Sequence, residues 1–124
     1  MPQNLKQRLR KQKQRLREGL GEWLPEWEKR VEQLRGEAFR RSLLDPDSDL
    51  RQEAAQLINE ALTVLKPYNR IHLAVTQAVD ALNCALRHIK SGDSMLFCVL
   101  DLRVATGALN SLIAKQQKKV RRLH

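Results

Sequence analysis

Apolar residues recur along this chain at steps of three and four, the interval at which one face of an α-helix returns. Leu5, Leu9, Leu16 and Leu20 form a stripe within about 60° of arc and predict a helix over residues 4–20. Gly19 and Gly21 break that register. Pro25 suits the first position of a second helix, with Glu26 and Glu28 in a first turn where the dipole favours negative charge. Leu24, Trp27, Val31, Leu34 and Ala38 make a heptad-like seam, so this helix is expected over 25–44, weakened at Gly36. Asp45-Pro46-Asp47-Ser48-Asp49 stops it and supplies N-caps for the next. Leu50, Ala54, Leu57, Ile58, Ala61, Leu62 and Leu65 set a third helix over 48–66, which Pro67 ends. A fourth, 68–90, uses Ile71, Val75, Ala78, Leu82, Ala85 and Ile89, widened by Ala74 and Ala81, and terminates at Ser91-Gly92. Capped by Asp93 or Ser94, the fifth and longest helix spans 94–120. Its stripe is Met95, Cys98, Val99, Leu102, Ala105, Leu109, Leu112, Ile113 and Val120. Leu96, Phe97, Leu100 and Val104 cover the other side of its first three turns, which predicts that those turns are central. The expected fold class is all-α: a single bundle of about five helices over residues 1–124, its core in the last two or three.

Composition narrows the picture. In 124 residues the hydrophobic share is an ordinary 42% but aromatics are only 4%, so the core must be built from Leu, Ala, Val and Ile. No stretch reaches 18 consecutive apolar residues, and the basic N-terminus is not followed by the apolar segment of a signal peptide. An Arg-rich, acid-free start also fits an organelle presequence, but Lys and Gln dominate it and Ser is absent, so the expected location is cytoplasmic. There Cys84 and Cys98 are expected as free thiols rather than a disulfide.

Charge changes the picture most. Lys6, Arg8, Arg10, Lys11, Lys13, Arg15 and Arg17 occur with no acid among them, and Lys115, Lys118, Lys119, Arg121 and Arg122 repeat the pattern at the far end. The net charge of +9 is thus +12 on the two ends and −3 on the residues between. On the first helix Lys6, Arg10, Lys13 and Arg17 flank one side of the leucine stripe, and Arg8, Lys11 and Arg15 the other. Arg40 and Arg41, in the last turns of the second helix, are also open to a ligand. Basic rows on helical patterns, at both ends of an acidic body, suit phosphates, with salt-sensitive, sequence-blind binding of RNA or single-stranded DNA. An odd number of up-and-down helices would put the two ends at opposite poles, although each basic segment extends about 20 Å and can still lie beside the other. The leucine stripe, interrupted by Gln12 and lacking aromatics, is too thin for a membrane-surface helix. The remaining alternative is a helical adaptor that docks on an acidic protein.

Candidate chemistry is sparse. Cys84 and His88, four apart on one face, could be joined by Cys98 and His72, but the paired spacing of a structural zinc site is missing. A half-buried Cys and two boundary histidines are therefore expected, with no metal or cofactor. The sequence holds no G-x-S-x-G, no H-E-x-x-H and no Gly-rich phosphate loop, and an enzyme is not expected. Asp101 and Arg103, inside the most apolar helix, are expected to pair within the bundle. Trp23 and Trp27 could stack on bases, but the expected roles are Trp27 in the core and Trp23 packed over the turn before Pro25.

In size, all-α pattern, basic balance and lack of catalytic motifs, the chain resembles the small helical subunits of CRISPR RNA-guided effector complexes. That resemblance implies a non-catalytic subunit that holds nucleic-acid backbone beside other protein subunits or further copies of itself. Helical accessory proteins of diversity-generating reverse transcriptases are similar in the same respects. A local resemblance covers residues 69–113: Asn69-Arg70, Ala74, Thr76-Gln77-Ala78, Leu82, Ile89, Asp101-Leu102-Arg103, Ala105 and Ala108-Leu109 are similar to the closing helices of the bacterial tRNA-modifying GTPase's helical domain. The chain departs from that family in having no GTPase domain and in carrying Lys-Gln-Gln-Lys-Lys where the family has a Cys-bearing C-terminus, so no active-site residue carries over.

Overall fold

The computed structural model describes the backbone of residues 2–41 and 48–122, and the side chains of 5–40 and 49–114. The fold is all-α, and the described residues form four α-helices rather than the expected five: α1 (Pro2–Arg41), α2 (Ser48–Leu65), α3 (Leu73–Lys90) and α4 (Met95–Arg122). A 3₁₀ turn, Lys66–Tyr68, links α2 to the loop before α3.

The two helices expected over 4–20 and 25–44 are one 40-residue helix that passes straight through Gly19, Gly21 and Pro25. The reason lies in the register. Leu16, Leu20, Leu24, Trp27, Val31, Leu34 and Ala38 step by 4, 4, 3, 4, 3 and 4 without interruption, and all are buried. Two interior glycines cost a helix about 2 kcal/mol against Ala, and an interior proline about 3 kcal/mol. Leu20, Leu24, Trp27 and Val31 surround the breakers, and burial of each contributes about 1.5–3 kcal/mol. Burial wins. The carbonyl of Gly21, which Pro25 cannot serve, lies on an exposed face where solvent can.

α2 returns antiparallel along α1. Trp27 Nε1 donates to the carbonyl of Leu57 at 3.0 Å, and Arg30 pairs with Glu60 at 2.7 Å. At the other end Arg40 and Glu37 line the same cleft as Asp49 and Glu53. The helix expected from residue 68 is α3, and it begins at Leu73. Pro67 sits in the 3₁₀ turn, Arg70 takes a positive φ of 70°, and His72 caps α3 by accepting from the Ala74 N–H at 3.0 Å. Ile71, expected on the helix face, is left half-buried in the loop.

α3 runs antiparallel to α2, whose Arg51 reaches across to donate to the carbonyls of Ile89 (3.3 Å) and Asp93 (2.6 Å). Gly92, at φ 73°, turns the chain, and Ser94 Oγ accepts from the Leu96 N–H to start α4. The helices thus run up, down, up and down around one continuous hydrophobic cluster.

α4 buries Met95, Cys98, Val99, Leu102, Ala105, Leu109 and Leu112. Its first turns are not enclosed on both sides as expected: Leu96, Phe97, Leu100 and Val104 are 37–59% exposed. Among the described residues α1 and α3 pack on α4 from one side, and no further helix covers the other. Within α4, Met95–Ala114 is long and apolar enough to cross a membrane by length and composition, and 39% of it is buried in the bundle.

Candidate functional site

Fusing the first two expected helices changes the parity of the bundle, and with it the place of the charges. Asn110 of α4 donates to Glu28 of α1 at 3.3 Å, and the two helices run in opposite directions. Eleven residues back along α1 is Arg17, and eleven on along α4 is residue 121, each about 17 Å from that contact in the same direction. The basic run of α1 and the last turns of α4 therefore approach one end of the bundle, not opposite poles.

Lys6, Arg8, Arg10, Lys11 and Arg15 are exposed, and Lys13 and Arg17 are half-buried against the flank of the seam. Leu5 and Leu9 lie on the same seam as Leu16 but are 66% and 41% exposed, so α1 outruns the body of the bundle. Among the described residues none of the basic side chains from Lys6 to Arg15 forms an ion pair, whereas Arg30 and Arg35 bind Glu60 and Glu32. The Nε of Arg17 is enclosed with no hydrogen-bond partner. The side chains of Arg41, Lys115, Lys118, Lys119, Arg121 and Arg122 lie outside the described residues.

Arg40 belongs elsewhere. It lies about 35 Å along α1 from Arg17, at the other end of the bundle, and pairs with Glu37. The adjoining cleft between α1 and α2, about 890 Å³, is lined by mixed charges such as Arg30, Glu37, Asp49 and Glu53 and offers no uniform field to an anion. The tryptophans are not a platform for bases. Trp27 is fully buried, Trp23 donates to Glu60 at 3.2 Å, and the two rings stack on each other at 5.2 Å.

A second group of functional side chains gathers between α3 and α4, close to their turn. His88 Nδ1 lies 2.9 Å from Asp93 Oδ2, and its Nε2 lies 3.3 Å from Asp101 Oδ2 and 3.8 Å from Cys84 Sγ. Phe97 stacks on the imidazole at 5.5 Å. Asp101 Oδ2 is enclosed and, despite its approach to Nε2, completes no hydrogen bond. The four-ligand set drawn from Cys84, His88, Cys98 and His72 does not assemble, because His72 caps the far end of α3. Asp101 lies against His88 within the bundle without completing a hydrogen bond at Oδ2, while Arg103 is exposed. Cys98 is buried beneath, and burial together with the nearby Asp101 charge pushes its thiol from 9.0 to about 12. Cys84 and Cys98 are both free thiols. The sequence marked Cys84 and His88; their third partner was legible only as a polar residue inside an apolar helix.

No protein-family model, no curated protein and no solved structure matches the chain. The fold and surface define its class: an all-α bundle with a projecting basic helix.

Proposed function

We propose that the protein is a non-catalytic, sequence-independent binder of nucleic-acid backbone, RNA or single-stranded DNA, acting as a small subunit of a ribonucleoprotein assembly of the kind its sequence resembles, a CRISPR effector complex. One observation carries the reading: the basic turns of α1 stand clear of the bundle, unpaired among the described residues, at the end toward which the equally basic turns of α4 run. A cation already bound to a carboxylate gains little from a phosphate, but a free row releases the counterions of the polyanion it covers. Lys6, Arg10, Lys13 and Arg17 form one row, Arg8, Lys11 and Arg15 a second, and Lys115, Lys118, Lys119, Arg121 and Arg122 a third from α4.

The test is anisotropy of labelled single-stranded RNA and DNA across a salt series. The logarithm of affinity should fall linearly with the logarithm of salt, and each Lys→Gln in α1 should lower the slope by about one, whatever the sequence of the probe. Affinity that stays flat between about 50 and 300 mM salt refutes the reading. Arg40→Gln, at the opposite end, is the control and should change nothing.

The exposed stripe of Leu96, Phe97, Leu100 and Val104 favours a second reading, a helical adaptor that docks on a protein partner. A protein-only adaptor would purify free of polynucleotide, whereas the first reading expects contaminating nucleic acid until a high-salt wash.

A further inference from the structure

Cys84 Sγ, His88 Nε2 and Asp101 Oδ2 come from two helices, and these atoms all lie within 4.8 Å of one another. Cys84 and His88 share a face of α3 by their spacing of four, and the turn at Gly92 brings Asp101 of α4 against them. The hydrogen bonding around His88 decides what the triangle can hold. A carboxylate only accepts, so at the 2.9 Å contact Nδ1–H donates to Asp93. In that tautomer Nε2 presents a lone pair toward Asp101 Oδ2, an enclosed oxygen that accepts no hydrogen bond. The Cys84 sulfur closes the third corner. Three electron-pair donors converge on one point.

We propose that Cys84, His88 and Asp101 form a three-ligand site for a zinc-type divalent cation, with the fourth position left to water or an incoming ligand. Two of the three separations are close to what the metal needs. With Zn–S of about 2.3 Å and Zn–N or Zn–O of about 2.0 Å, tetrahedral angles place sulfur about 3.5 Å from nitrogen and nitrogen about 3.3 Å from oxygen. The chain has 3.8 Å and 3.3 Å on those two sides, and the sulfur lies within 4.8 Å of the Asp101 oxygen, so capture draws the sulfur inward. A thiolate, an imidazole and one carboxylate are the donor set of zinc rather than of magnesium or calcium, which take oxygen. Asp93 supplies the outer-shell carboxylate that orients a metal-bound histidine, and Phe97 stacks on the ring. Arg51 holds the backbone of Ile89 and Asp93 and so fixes the turn that carries this carboxylate.

The competing arrangement is a doubly protonated His88 donating to both Asp93 and Asp101. The two make opposite predictions for protons, because metal uptake expels protons from the imidazole or thiol and is weakened by acid.

Zinc alone is the first probe, titrated into the full chain against a chromophoric chelator, and cobalt(II) the second. One equivalent should bind with proton release, and the cobalt form should show a thiolate-to-metal charge-transfer band with the intense visible spectrum of a four-coordinate site. Cys84→Ser and Asp101→Asn should each weaken binding by at least about 100-fold, Asp93→Asn by about 10-fold, and Cys98→Ala not at all. Zinc should also slow alkylation of Cys84 in the unaltered protein, a readout that needs no variant to fold. Absence of zinc binding, a cobalt spectrum without the thiolate band, or affinity that survives both Cys84→Ser and Asp101→Asn overturns the proposal.

Discussion

Gly19 and Gly21 separate two accounts of the chain that differ in topology. Were the helix broken there, as local residue preferences imply, one glycine would sit in the left-handed region past a helix end, and Ala in its place would cost about 1 kcal/mol. In the continuous α1 both glycines are helical and exposed, and a Cβ built on either meets nothing within 4 Å. Gly19→Ala and Gly21→Ala should then stabilise the protein by about 0.5–1 kcal/mol each, about 1–2 kcal/mol together. For a chain of this length that raises Tm by about 4–8 °C. Pro25→Ala sharpens the contrast. It removes a clash with the Gly21 carbonyl and restores a hydrogen bond, a gain of about 3 kcal/mol, less about 0.4–1 kcal/mol for a looser unfolded chain. In a helix that began at Pro25 the same change would be neutral or unfavourable. Urea unfolding followed by circular dichroism gives the free energies. Spin labels at Arg8 and Gln33, both exposed, should lie about 37 Å apart on a straight helix. Lower stability of the Gly→Ala pair, together with a much shorter label distance, would refute the continuous helix and with it the gathering of both basic segments at one end.

Other expectations follow from the core and the surface. Trp27→Ala should cost about 3–5 kcal/mol in urea unfolding, since the ring is fully buried and its Nε1 satisfies Leu57. Iodoacetamide at mildly alkaline pH should label Cys84 in the native protein and reach Cys98 only on unfolding, because a thiol pushed to about 12 holds almost no thiolate there. The same shift has a sign. Cys98 keeps its proton in the folded state above pH 9.0 while the unfolded chain loses it, so this stabilisation is complete below about 9 and falls away as pH rises toward 12. Leu100→Gln with Val104→Gln should leave the unfolding free energy within about 0.5 kcal/mol of the parent and reduce any concentration-dependent association seen by sedimentation.

Much of the fold was legible because burial follows period. The seam of α2, that of α4 as far as Leu112 and the corner at Gly92 and Ser94 stand where the pattern puts them, while α3 starts at Leu73 and leaves Ile71 in the loop, and the side chain of Val120 lies outside the described residues. The errors have physical causes. At Gly19, Gly21 and Pro25 local preference favours a break, but the apolar register runs through unchanged from Leu16 to Ala38, and tertiary burial overrides preference. At Leu96, Phe97, Leu100 and Val104 the pattern counts apolar residues and cannot count the neighbours available to cover them. Of the candidate site, the charges were evident from residue type alone. Their arrangement was not, since it depends on the number of helices. Cys84 and His88 were visible as a pair four apart, but Asp101 joins them only through the register of the α3–α4 hairpin, which the turn at 91–94 sets.

The one-ended distribution of charge also bears on how fast the protein meets a partner. A body carrying −3, with +12 on segments that run to the same end, has a large permanent electric moment. Such a molecule turns in the field of a polyanion before touching it, so fewer encounters arrive the wrong way round. Association by oriented charges can exceed the unsteered rate by about 10- to 1,000-fold and falls with ionic strength. On the proposed reading, salt therefore acts on the rate of arrival as well as on the phosphate contacts that hold the complex.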